Sequence, residues 1–325
     1  MDSENVVVSL RKAILATPND SRSYAANIPP DHCYGAGKQL TAHGGVLTSI
    51  IQSAIKSHFQ TTLKKNHQPD TLDLSLTFLR PATSGPCIVF IKPLKLGYAI
   101  SQISFSLVQD EKECVNGYAS NGNLGSAAHG ISLPTPAITP CKPVNFETIC
   151  KDGLDENWIS YRIPWHQGSL IKPITHFMFL NPLEPLQEKN VTEIWMKFAE
   201  PSERFSTEML GSVVDHWHRM PENYLRGSMW NNDQITTRAK KNPGGNIEAF
   251  STSYLYPTLS LKLEIKKPLP EEGVEWLLVR AQSNEIRNGR FDATIKVVTD
   301  KQGLVALSHQ VCFILPGKQV PDSKM

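Results

Sequence analysis

One pattern occurs twice along this chain, and that repetition restricts the fold more than any other feature. In the first half, the segment HGGVLTSIIQSAIKSHF (residues 43–59) carries Val46, Ile50, Ile51 and Ile55 at helical spacing, with Leu47 and Ala54 alongside. Strand-like segments follow at LDLSLTFLRPA, CIVFIKPLKLG, AISQISFSLVQD and ECVNGYASNG. Leu72, Leu74, Leu76 and Phe78 alternate with polar residues, the mark of a strand with one buried face. The second half repeats the order: a helix is predicted over residues 205–217 (FSTEMLGSVVDHW), then strands at YLYPTLSLKLEIKKP, EWLLVRAQSNEI, GRFDATIKVVTD and GLVALSHQVCFIL. Arg80–Pro81 falls on Lys267–Pro268 at an offset of 187, and the turn at Asp110 on that at Asp300 at 190. One helix followed by an antiparallel meander is no βαβ rhythm. It predicts an α+β protein of two units sharing one extended sheet, with Pro81 and Pro268 ending their strands because proline cannot donate to a ladder.

The repeat divides the chain into an N-terminal unit (residues 1–130), a connector (131–188), a C-terminal unit (189–317) and a flexible tail (318–325). Pro134, Pro136, Pro140, Pro143, Pro164, Pro173, Pro182 and Pro185 fill the connector, which reads as irregular chain wrapping the outside of the sheet. The polar stretch 227–245 reads as a mobile loop near the second helix. A length of 325 residues suits two cores. A net charge of +2 without a basic run argues against a nucleic-acid partner. The opening MDSENVVVSLRKAIL lacks the basic-then-apolar order of a signal peptide, and no stretch is apolar enough to span a membrane. Six irregularly spaced cysteines, with no Cys-x-x-Cys, read as reduced and mostly buried thiols.

Some chemistries are excluded by their missing motifs. There is no Gly-x-Ser-x-Gly elbow for a serine hydrolase, Gly35–Ala36–Gly37–Lys38 is too short for a phosphate loop, and no HExxH-like spacing marks a metal site. His216 and His218 read as helix-end or packing residues. His309 should face away from its neighbour Gln310 on a strand. Trp158, Trp165, Trp195 and Trp276 read as packing residues. No cofactor or metal is expected.

The order and spacing of several short marks resemble the type II acyl-CoA thioesterases, a double-hotdog family that includes bacterial thioesterase B and the peroxisomal acyl-CoA thioesterases. The marks are Gly44–Gly45 opening the helix, SLTFLRPA, GYAISQISFSLVQD, EIWMKFAEP, VVDHWHRMP, PTLSLKLEIKKP, EWLLV and LVALSHQ, running from about Tyr34 to Leu315. The resemblance implies a tandem double hotdog, each half a long helix wrapped by an antiparallel sheet, with the sheets joined. It also implies an acyl-CoA or acyl-carrier thioester as substrate, and Asp215, Thr258 and Gln310 as the residues that bind and activate a water. That set is chemically reasonable in its own right. A carboxylate supplies the general base, while a hydroxyl and an amide orient the water. Backbone N–H groups at a helix start can hold the oxyanion, which gives Gly44 and Gly45 a substrate-binding part, with His43 beside them as a proton donor, a second base or a structural residue.

The chain also departs from the family pattern. Thr258 is followed by Leu259–Ser260–Leu261 where an acidic residue and a histidine are usual, Lys266–Lys267–Pro268 stands for His-Arg-Pro, and His43 replaces a bulky apolar residue. Two other functions therefore stay open: a non-hydrolytic cyclase, lactonising enzyme or dehydratase acting on a polyketide-like chain, and an acyl- or lipid-binding module without turnover. The final Ser323, Lys324 and Met325 resemble the Ser-Lys-Leu address, so a peroxisomal import receptor is an expected partner and the peroxisome the expected location, with the cytoplasm as the alternative. Association into a homo-oligomer through the sheets is also expected.

Overall fold

A computed structural model describes residues 7–35, 40–125, 131–164, 172–216, 219–247, 254–301 and 303–316. The tail 318–325, with Ser323–Met325, lies outside them, as do Trp165, Trp217 and His218. The N-terminal half contains β1 (Ser23–Ile28), α1 (Gly44–Gln60), β2 (Asp70–Phe78), β3 (Gly85–Lys95), β4 (Ser101–Gln109) and β5 (Lys112–Gly122). Further on come α2 (Phe146–Asp152), β6 (Trp158–Arg162), β7 (Phe177–Pro182) and β8 (Val191–Phe198), then α3 (Leu210–Val214) and α4 (Asn232–Ala239). The chain closes with β9 (Thr258–Ile265), β10 (Leu277–Gln282), β11 (Arg290–Thr299) and β12 (Gly303–Phe313).

These twelve strands and two two-residue strands form one antiparallel sheet in the order β1-β3-β4-β5-β2-β9-β12-β11-β10-β8-β7-β6. The order reads nearly the same from either end, as a duplicated unit requires. The halves meet at β2 and β9, where Leu74 faces Leu263 and Leu76 faces Leu261. Ser75 faces Lys262, its own counterpart at the 187-residue offset, so the seam lies on the axis relating the repeats. Both seam strands stop three residues before their prolines, Pro81 and Pro268.

Helix α1 packs against β2, β3 and β4 of the first half as expected. It buries Val46, Leu47, Ile50, Ile51, Ala54, Ile55 and Phe59, and joins residues of both halves in one hydrophobic core. The helix expected over 205–217 is much shorter. Phe205 pairs instead with Val274, Thr207–Met209 form a 3-10 turn, and only Leu210–Val214 are α-helical. Gly211 and the β-branched pair Val213–Val214 are weak helix formers. The Gly211 and Ser212 N–H groups are bound from outside, donating to Gln52 Oε1 and Ser49 Oγ of α1 at 2.8 Å each.

The described parts of 131–188 are more ordered than the prolines suggest. They contribute β6 and β7, which extend the sheet beyond β8, and α2, whose Phe146 packs edge-on against Trp195 and stacks on Trp276. Ile149, Trp158, Trp195, Trp276 and Leu278 form a second apolar cluster there. Strand β8 is therefore buried on both faces, which is why VTEIWMKF shows no clean alternation. Within 227–245, expected as a loop, α4 forms behind an Asn231 cap, whose Oδ1 accepts from the Gln234 N–H at 2.8 Å. All six cysteines are free thiols, four of them buried. Among the described residues, no helix is long and apolar enough to cross a membrane.

Candidate active site

Asp215, only 5% exposed, ends α3, and its side chain points at the start of α1. The Gly45 N–H donates to Oδ2 at 2.6 Å, and the Thr258 hydroxyl, at the head of β9, donates to Oδ1 at 3.0 Å. Both carboxylate oxygens are thus held, and a seventeen-residue helix aims its positive end at them. This approach explains the glycine pair. A Cβ on Gly44 would meet Asp215 Oδ2 at 2.9 Å, and one on Gly45 would meet Asp215 Cβ and Ser212 Cα at 2.8 Å. Glycine costs about 1 kcal/mol against alanine within a helix. Contact between the helices requires it here.

The sequence reading assigned the Gly45 N–H to an oxyanion. In the structure the Asp215 carboxylate takes it. Burial works against these bonds: it pushes the Asp215 carboxyl up to about 7, even though the Thr258 and Gly45 hydrogen bonds favour the ionised form. A carboxyl poised there exchanges protons readily near neutrality.

Gln310, fully buried on β12, does not touch the carboxylate directly. Its Nε2 donates to the Val214 carbonyl at 2.9 Å, which anchors the α3 end that carries Asp215. Cys312 lies two residues on, on the same face, with Sγ 3.8 Å from Thr258 Oγ1; burial raises its thiol well above the ordinary value, so it stays neutral. His309 is exposed on the opposite face, as expected.

His43 precedes α1 and is fully buried, its Nε2 3.6 Å from Asp215 Oδ2. Its ring tilts against Tyr34 at 5.2 Å and His216 at 4.3 Å. His216, read as a packing residue, therefore reaches the site through His43. Its Nδ1–H donates to the Ser212 carbonyl at 2.6 Å, and burial holds the ring neutral by pushing its pKa down to about 3. Asp31, His32 and His176 gather candidate ligand atoms within 4.8 Å of one another nearby. The two rings stack at 4.3 Å and 16°, so their lone pairs run side by side instead of converging on an ion.

Residues that the motif reading passed over complete the wall. Arg219 lies in the same VVDHWHRMP segment as Asp215, and Glu222, Trp230 and Tyr256 surround it. The available signal was an arginine with neighbouring aromatics in a segment already singled out.

The fold is shared with known proteins. The profile of the acyl-CoA thioesterase N-terminal domain matches residues 35–122, and that of the acyl-CoA thioesterase C-terminal domain matches residues 156–314. The thioesterase-like protein TwmA of Talaromyces wortmannii is 28% identical over 346 aligned positions, covering 96% of this chain and 95% of that one. Among solved structures, a conserved protein of unknown function with a hot dog fold from Alicyclobacillus acidocaldarius superposes with a TM-score of 0.63 at 14% identity, covering 96% of this chain and 100% of the other. The acyl-CoA thioesterase II TesB2 of Mycobacterium marinum superposes with a TM-score of 0.57 at 16% identity, covering 95% and 99%.

Proposed function

Since this chain belongs to the acyl-CoA thioesterase family, we propose that it hydrolyses an acyl thioester with Asp215 as general base. The observation that carries this reading is a buried carboxylate, held on both oxygens by Thr258 and Gly45 and raised to about 7. Ionised Asp215 takes a proton from water as the water oxygen bonds to the thioester carbon. The tetrahedral intermediate then expels the thiolate as the C–S bond breaks, and the proton on Asp215 passes to sulfur. Free acid and thiol result. Thr258 orients the carboxylate, and Gln310 supports it through the Val214 carbonyl. The buried surroundings limit access to bulk water and strengthen each polar contact. The test is thiol release from a panel of acyl-CoAs by the purified protein. Activity that survives Asp215→Ala would overturn the mechanism.

One observation favours a second reading. His43, 3.6 Å from Asp215 and against neutral His216, gives the site a second proton-handling group. Such a pair could move protons on a bound polyketide-like chain and give a cyclised or dehydrated product. Product mass separates the two: a linear acid supports hydrolysis, and an isomer or a product lighter by one water supports the other. Peroxisomal location is proposed from Ser323–Met325 alone; a fluorescent fusion should lose its punctate distribution when those residues are deleted, and an unchanged distribution rejects the address.

A further inference from the structure

Beyond Asp215, the wall of the site runs through His43 and Tyr34 to a charged residue that the hydrolytic step does not use. Arg219 stands between α3 and α4, with its guanidinium over the face of Trp230, 4.0 Å from the ring centroid. Its Nη1 is buried and has no hydrogen-bond partner among the described residues. Tyr34, Tyr161 and Tyr256 lie around the guanidinium, and Tyr34 also packs on His43 at 5.2 Å. Glu222 acts on the guanidinium through its charge, but its oxygens are bonded to other groups: Oε1 accepts from the Tyr256 hydroxyl at 2.5 Å and Oε2 from Ser228.

A guanidinium in such a place is costly to leave unfilled. Its N–H donors match a carboxylate, and a buried donor without an acceptor incurs the full desolvation penalty. A plain alkyl chain would leave Nη1 unpaired, whereas an oxyanion on the substrate would satisfy it. The aromatic walls favour the slender acyl end over the large hydrated phosphates of CoA.

We propose that Arg219 binds a carboxylate on the acyl part of the substrate, so that the preferred thioesters are half-thioesters of dicarboxylic acids. This inference rests on the hydrolase reading of Asp215, and it can be tested apart from it. The N-acetylcysteamine thioesters of octanoate and suberate, which contain no phosphate, are compared by kcat/KM. The wild type should favour the suberyl thioester by at least about tenfold, and Arg219→Gln should bring the ratio towards one, chiefly through KM, with Arg219→Lys intermediate. Calorimetric binding of free suberate against octanoate, in wild type and in the Arg219 variants, reports the same preference without turnover. Equal wild-type selectivity for the two chains, or a preference that survives Arg219→Gln in both assays, overturns the proposal. Discrimination seen with CoA thioesters but lost with N-acetylcysteamine thioesters would assign the anion to CoA and also overturn it. If neither thioester is cleaved while suberate binds in an Arg219-dependent way, the hydrolase reading fails and the anion site stands.

Discussion

The two halves of the molecule share a sheet plan and differ around the candidate site. In the first half, nine residues (61–69) carry the chain from α1 to β2; in the second, 43 residues (215–257) separate α3 from β9. The first helix is long, buried nearly all round, and offers only its start to the site. The second is cut to five residues and ends on the carboxylate. The outer faces differ too: Phe90 and Tyr118 stand exposed on the first half, whereas α2 and its tryptophans cover the second. Duplication lets one copy serve as scaffold and helix dipole while the other carries acid, hydroxyl and insertion. Neither copy needs to be complete.

That division can be broken most sharply at Asp215. Asp215→Asn keeps an acceptor for the Gly45 N–H, so the fold should persist while kcat/KM falls by about 10²- to 10⁴-fold; a loss of only a few-fold would show that the base lies elsewhere. Stability should move the other way. The folded pKa of about 7 lies above the ordinary 3.8, so ionisation costs stability progressively between those values and fully above 7. At pH 8 the Asn variant should be the more stable, by an amount on the order of 4 kcal/mol, and the gap should close as the pH falls towards 4. Paired chemical denaturation curves at the two pH values would check this.

Gly45→Ala tests the contact between the halves. Its Cβ would meet Asp215 Cβ and the Ser212 backbone at 2.8 Å, so a loss of about 1–3 kcal/mol is expected, together with reduced activity. A neutral result in urea unfolding would mean that the helices part easily. Thr258→Val removes one bond that favours ionised Asp215. The wild-type kcat/KM should rise with pH through an inflection near 7, and the variant's inflection should lie higher, by roughly one unit or less, with about tenfold lower activity at neutrality. An unmoved pH profile would remove Thr258 from the site's electrostatics. The smallest effect is expected at Ser49→Ala, which leaves the buried Ser212 N–H without its acceptor and should cost about 1 kcal/mol in thermal unfolding.

Much of the common plan could be read from the sequence, because alternation and helical spacing report burial directly. The eight strands expected after the two helices all form, and α1 begins at Gly44 as expected. Strands β1, β6, β7 and β8 were not expected: β1 is a short segment of mostly small and polar residues, a strand covered on both faces loses its alternation, and prolines around FMFLNP masked β7. The second helix was overestimated, since apolar spacing cannot show that Ser49 and Gln52 will take over its N–H groups. At the site, Asp215, Thr258 and Gly45 were named and are in contact. Arg219 and Tyr34 were not assigned to the site, because only folding brings Tyr34 against His43 and near the Arg219 guanidinium.

The bond from Gly45 to Asp215 spans 170 residues, and Thr258 and Gln310 come later still. During synthesis the first half can therefore collapse around α1 while its glycine pair still has no acid to grip. A chain released early, or cut between the halves, would hold a helix start without the Asp215 carboxylate that accepts from it. The site around Asp215 is thus assembled only after Gln310 has been made and the seam at Ser75 and Lys262 has closed, so folding order places both halves before the site.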